Sequence, residues 1–137
     1  MKDVFVYSRP AIERLPPHDV PHVVISITSA PDDVARVPRS SALRAILRLS
    51  FADADVDAPA GLVLFDDAHA RSIVEFVRAH EPDIERIVVH CDAGMSRSPA
   101  VAAAITRSMG EDDDAWFKRY RPNMRVYRRL LEAFERA

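Results

Sequence analysis

Cys91 is the only cysteine of the chain, and it stands in the stretch VVHCDAGMSRSPA, residues 88–100, with His90 directly before it and Arg97 after five intervening residues. A thiol and a guanidinium at this spacing suit chemistry on an oxyanion, provided the loop between them is shaped to hold one. The loop from Cys91 through Asp92, Ala93, Gly94, Met95, Ser96 and Arg97 follows the β-branched run Ile87–Val89 and leads into an apolar stretch that reads as a helix. Pro99 suits that helix's first turn, where its missing N–H has no partner to lose. Loop amides turned inward then form a concave set of donors backed by the helix N-terminus. Gly94 supplies the backbone freedom such a turn needs. Arg97 adds a planar fork for two phosphate oxygens. The same positive field favours the thiolate, the form that attacks phosphorus. Cys91 is therefore the predicted nucleophile, and Asp92, Ala93, Gly94, Met95, Ser96 and Arg97 form the predicted substrate-binding loop. Ser98, with Ser96, is placed to hydrogen-bond the sulfur and help it leave.

Other readings of the same residues are weaker. A lone cysteine at a strand end is often a small buried hydrophobe. A serine-hydrolase elbow needs glycine where Ser98 stands. The five histidines show no ligand spacing around Cys91, so no metal site is predicted. His90 reads as a structural residue that bonds the loop backbone rather than moving protons.

The sequence HCDAGMSRS is similar to the signature of the cysteine-dependent protein tyrosine phosphatases: His-Cys, five residues, Arg, then Ser or Thr. Ala93-Gly94 and Ser96-Arg97-Ser98 most resemble the dual-specificity subgroup. The order of elements over residues 47–137, including the tail RPNMRVYRRLLEAFE, resembles it as well, and compact bacterial tyrosine phosphatases share the short layout. The resemblance implies a cysteinyl-phosphate mechanism with no cofactor and no metal, in which Cys91 attacks, Arg97 holds the phosphoryl oxygens and Ser98 assists. It also implies an aspartate general acid and base, carried by a loop after a strand and before the preceding helix. The stretch FADADVDAPAG offers Asp53, Asp55 and Asp57 there; Asp53 fits the placement best, with Asp55 and Asp57 as alternatives. Asn123 braces this region in such a layout or is a simple turn residue, and Arg121 and Arg125 either extend a basic rim or belong to a helix surface.

The implied function is a phosphomonoester hydrolase acting on a phosphorylated protein or small phosphomonoester. Relatives that favour inositol phosphates tend to carry lysines at the variable loop positions, and the acidic Asp92 argues against such polyanions. The alternatives are a phosphate-binding module without turnover, and an inositol phosphate or RNA 5′-phosphatase using the same loop.

The elements that must position the loop are legible around it. Val4–Tyr7 is β-rich, and Arg9-Pro10 opens a short helix. Val23–Thr28, reading VVISIT, has the continuous β-branched character of a central strand covered on both faces. Leu43–Phe51 is ambiguous, with an alternation that suits a strand. Asp66 or Asp67 caps a helix whose Ala70, Ile73, Val74 and Val77 share one face. Gly110 closes the helix after Pro99, Asp112–Asp114 begin another carrying Trp116 and Phe117 as core residues, and Tyr127, Leu130, Leu131 and Phe134 line the last. Strands alternating with helices predict an α/β fold: a three-layer sandwich with a central, mostly parallel sheet flanked by helices, of protein tyrosine phosphatase type, with residues 1–137 as a single domain.

Bulk composition agrees. Hydrophobic residues make up 48% of the 137 and charged residues 29%, with a net charge of −2. Interspersed charges predict no nucleic-acid partner, and no apolar run reaches the ~20 residues of a membrane span. One cysteine forms no internal disulfide, and the charged, proline-broken N-terminus does not read as a signal peptide, so a cytoplasmic monomer is the expectation.

Overall fold

The computed structural model describes residues 2–54 and 62–137. Four strands form one sheet: β1 (Asp3–Ser8), β2 (His22–Thr28), β3 (Leu43–Ser50) and β4 (Arg86–Cys91), in the order β1-β4-β2-β3 and parallel at every pairing. All seven residues of β2 are buried, as its run rich in valine and isoleucine predicts for a strand covered on both faces. The ambiguous stretch at 43–50 is a strand, and Phe51 just beyond it is fully buried.

The helices are α1 (Arg9–Arg14), α2 (Asp67–His80), α3 (Arg97–Ser108), α4 (Asp114–Arg119) and α5 (Met124–Arg136). Residues alternate across the sheet, so its two faces feed two cores. Val23, Ile25, Ile27, Ile87 and Val89 pack with α2, α3 and α5. Val24 and Val88 point the other way, onto Ile12 of α1 and Val37. The result is the expected three-layer α/β sandwich.

Local chemistry sets the helix ends. Asp66 caps α2 by accepting from the amides of Ala68 and His69, and His69 returns a bond to the Asp66 amide. Pro82 falls in the 3₁₀ turn Glu81–Asp83 that follows. Helix α3 is buried along ten consecutive residues, Arg97–Thr106, which fixes its N-terminus rigidly under the sheet's C-terminal edge. Two sequence expectations differ from the structure. Trp116 is only half-buried and Phe117 is 37% exposed, because α4 lies outside the core, held by the Trp116 Nε1–H bond to Thr106 Oγ1 (3.0 Å) and by Phe117 against Tyr127.

Candidate active site

In a parallel sheet every strand ends on the same side, so the residues following β1, β2, β3 and β4 converge. Here these are Ser8-Arg9, Ser29, Phe51–Asp53 and the loop that begins at Cys91. The loop is pinned from beneath. Arg9 N–H donates to the Asp92 carbonyl (3.0 Å), and Gly94 adopts a positive φ of 71° pressed against the end of β1. A Cβ at Gly94 would lie 2.7 Å from the Ser8 nitrogen, so the close approach requires glycine.

Cys91 is 2% exposed at the foot of the loop. Two amides donate to its sulfur, Gly94 N–H (3.2 Å) and Ser98 N–H (3.4 Å), and the Ser98 hydroxyl lies within hydrogen-bond distance of it (3.1 Å). The Ser98 amide belongs to the N-terminal end of α3, the positive end of the helix. Ser98 thus meets the sulfur with both its hydroxyl and its amide. Ser96 is not on the sulfur. It occupies the N-cap position of α3 without making a cap bond and donates its hydroxyl to Asp53 Oδ1 (2.8 Å).

His90 is fully buried between β2 and β1, with Nε2 against Ser26 Oγ (2.6 Å) and Nδ1 near the Cys91 carbonyl (3.4 Å). Burial pushes its pKa below the ordinary histidine value. A neutral ring that donates through Nδ1 and accepts from Ser26 satisfies both bonds, consistent with the backbone-bracing part read from the sequence.

Arg97 is 5% exposed. Its Nη1 donates to the Phe51 carbonyl (2.9 Å) and to Ser29 Oγ (3.0 Å), and its Nη2 to Asp92 Oδ2 (2.9 Å). Among the described residues, its buried Nε–H has no hydrogen-bond partner. Ser29 and the Phe51 carbonyl were not singled out in the sequence; their place at strand ends is the signal that finds them. Ala93 and Met95 are exposed at the loop's rim.

Asp53 comes to the loop from the end of β3. Oδ1 receives the Ser96 hydroxyl and Asn123 Nδ2 (3.0 Å). Asn123, 6% exposed, also donates Nδ2 to the Ala54 carbonyl (3.1 Å) and caps α5 by accepting from Val126 N–H (3.1 Å). Backbone bonds strap this segment to the loop, Arg121 N–H to the Met95 carbonyl and Asn123 N–H to the Ser96 carbonyl. A cavity of about 240 Å³ opens there, lined by Asp53, Ala54, Ser96, Arg121, Pro122 and Asn123. Arg125 is committed elsewhere, donating Nε to the Phe65 carbonyl (2.8 Å). Asp55 and Asp57, the alternative acids, lie outside the described residues.

No protein-family model and no curated protein matches this sequence. Solved structures do match. The chain is similar to the human tyrosine phosphatase-like serine/threonine/tyrosine-interacting protein at 22% identity, covering 98% of this chain and 93% of that one, with a TM-score of 0.62. Human DUSP28 matches at 19% identity, with 97% and 92% covered and a TM-score of 0.57. PTPMT1 in complex with PI(5)P matches at 17%, with 98% and 91% covered and a TM-score of 0.56. The chain therefore has the protein tyrosine phosphatase-like fold. Among the described residues, no helix is long and apolar enough to cross a membrane.

Proposed function

We propose that this chain is a metal-independent phosphomonoester hydrolase of the protein tyrosine or dual-specificity type. The observation that carries the reading is the convergence of the Gly94 amide, the Ser98 amide and the Ser98 hydroxyl on Cys91 Sγ, beside an Arg97 whose buried Nε–H has no partner among the described residues. In this reading the Cys91 thiolate attacks phosphorus and the P–O ester bond breaks. Arg97 and the loop amides of residues 92–97 hold the equatorial oxygens, and Asp53 gives its proton to the departing oxygen. Water then attacks the thiophosphate, Asp53 takes its proton, the S–P bond breaks, and phosphate leaves with the thiolate restored. Ser98 stabilises the sulfur as it departs.

The fold also serves proteins of other descriptions, and one of its neighbours is named as phosphatase-like and interacting. Turnover is favoured here over a phosphate-binding module because Asp53 is held beside the loop by two donors, an arrangement that binding alone does not need. The substrate we propose is a phosphotyrosine, phosphoserine or phosphothreonine side chain. The PI(5)P complex of PTPMT1 makes a phosphoinositide the competing class, and the variable loop positions of this chain, Asp92, Ala93 and Met95, carry no lysine to hold the additional phosphates of a polyanion. A free thiol nucleophile works in a reducing compartment, so the proposal places the chain in the cytoplasm.

The test is steady-state hydrolysis of an aryl phosphate in chelator. Wild type turns over, Cys91→Ser loses all measurable activity, and Asp53→Ala loses roughly 10²-fold or more. Undiminished hydrolysis by Cys91→Ser ends the mechanism, and a fully active Asp53→Ala ends the acid assignment. Phosphopeptides and phosphoinositides compared side by side decide the substrate class.

A further inference from the structure

The hydrogen bonds of Arg97 are divided unevenly around its guanidinium. Both hydrogens of Nη1 are used, on the Phe51 carbonyl and Ser29 Oγ, and one hydrogen of Nη2 is used on Asp92 Oδ2. Ser29 Oγ in turn reaches Asp92 Oδ2 at 3.4 Å, closing a ring of contacts over the far end of the guanidinium. Among the described residues, what remains without a partner is the Nε–H and the second hydrogen of Nη2, which lie along one edge of the plane. That edge is the one able to grip two phosphoryl oxygens in parallel. Asp92 is itself fixed, since its carbonyl accepts the Arg9 amide and its side chain forms an ion pair with an arginine that is almost wholly buried.

We propose that Asp92, with Ser29, is a positioning pair that sets the orientation of the Arg97 plane and so presents its Nε–Nη2 edge to the phosphoryl group. This deepens the reading under Proposed function and rests on it. It also reverses the simplest electrostatic expectation for this residue. A carboxylate beside an anion site should repel the anion, so its removal should tighten binding. A clamp predicts the opposite, because an unheld arginine spends part of its phosphate affinity on ordering itself.

The experiment measures inorganic phosphate binding by calorimetry and aryl phosphate kinetics for wild type, Asp92→Ala, Asp92→Asn and Ser29→Ala. Asp92→Ala is expected to weaken phosphate binding and lower kcat/KM by ~10–100-fold, the loss of one hydrogen bond between charged groups. Asp92→Asn keeps an acceptor for Nη2 while shedding the charge, so it should stay within about twofold of wild type. Ser29→Ala should fall about two- to threefold, having lost only the weaker member of the pair. In an Arg97→Ala background, Asp92→Ala should change phosphate binding no further, which a general folding defect would not reproduce. Tighter phosphate binding by both Asp92 variants overturns the clamp and makes Asp92 a rival anion; unchanged binding by Asp92→Ala overturns it as well. A wild type that binds phosphate without hydrolysing it would refute the enzyme reading while the binding comparison still decides the clamp. A wild type that binds no phosphate refutes both.

Discussion

Asn123→Ser separates two jobs that one side chain performs. Asn123 Oδ1 caps α5 by accepting from Val126 N–H, while Nδ2 donates to Asp53 Oδ1 and the Ala54 carbonyl. Serine is an equally good N-cap residue, so the helix keeps its acceptor and the acid loop loses its donor. Asp53 is exposed, so the lost bond is worth about 1 kcal/mol rather than the full value of a buried charged one, or about fivefold in rate. The Ser96 hydroxyl still holds the same oxygen, and removing both donors should bring the loss to about 10–30-fold if the two act independently. The assay is kcat/KM over a series of aryl phosphates whose phenols differ in acidity. A poor leaving group needs the proton from Asp53 and should show the whole fivefold loss, whereas a nitro-substituted phenol should show little. In an Asp53→Ala background, Asn123→Ser should cost nothing more. An equal loss across all leaving groups, or the same further loss without Asp53, refutes the claim that Asn123 acts through the acid.

Two further outcomes follow from the surroundings of the loop. Gly94→Ala introduces a Cβ 2.7 Å from the Ser8 nitrogen at a positive φ, so it should abolish activity and cost about 2 kcal/mol or more in denaturant unfolding, whereas Gly110→Ala, whose Cβ would meet none of the described residues within 4 Å, should cost about 1 kcal/mol and leave activity intact. His90 and His18 both sit below the ordinary histidine value through burial, so the unfolded chain takes up protons before the folded one as the pH falls. Their contribution to stability is therefore present above the unfolded value of about 6.5 and is lost as the pH drops below it, with a limiting slope near 1.4 kcal/mol per pH unit for the buried His90. Unfolding midpoints that stay flat or rise from pH 7 to pH 5 would contradict this.

The part of the site that was legible in the sequence is the part that is local. Cys91, Gly94, Arg97, Ser98 and Pro99 sit within one strand-loop-helix transition, where glycine's backbone freedom, proline's missing donor and the helix N-terminus act on adjacent residues. Strand β2 was legible for the same reason, since burial on both faces imposes a run rich in valine and isoleucine. Phe117 was misread because a large hydrophobe on a short helix looks alike whether the helix is inside the core or laid against it.

The groups that hold Arg97 and Asp53 are remote in the chain: Ser29 lies 68 residues from Arg97, Phe51 lies 46 from it, and Asn123 lies 70 from Asp53. No periodicity links such pairs, and serine, a backbone carbonyl and asparagine carry no chemical signature of their own. Topology supplies what composition cannot. Once the strands are known to run parallel, the residue after each one is a candidate for the site, and Ser29 and Phe51–Asp53 follow from β2 and β3 directly. Asn123 follows from the loop itself, because its backbone is bonded to Ser96 and its side chain is thereby delivered to Asp53. The same strapping explains why Ser96 gives its hydroxyl to Asp53 and not to the sulfur. With its cap bond unmade, the first turn of α3 keeps its amides free for the sulfur and an incoming anion, and the acid is tied to the loop it must serve.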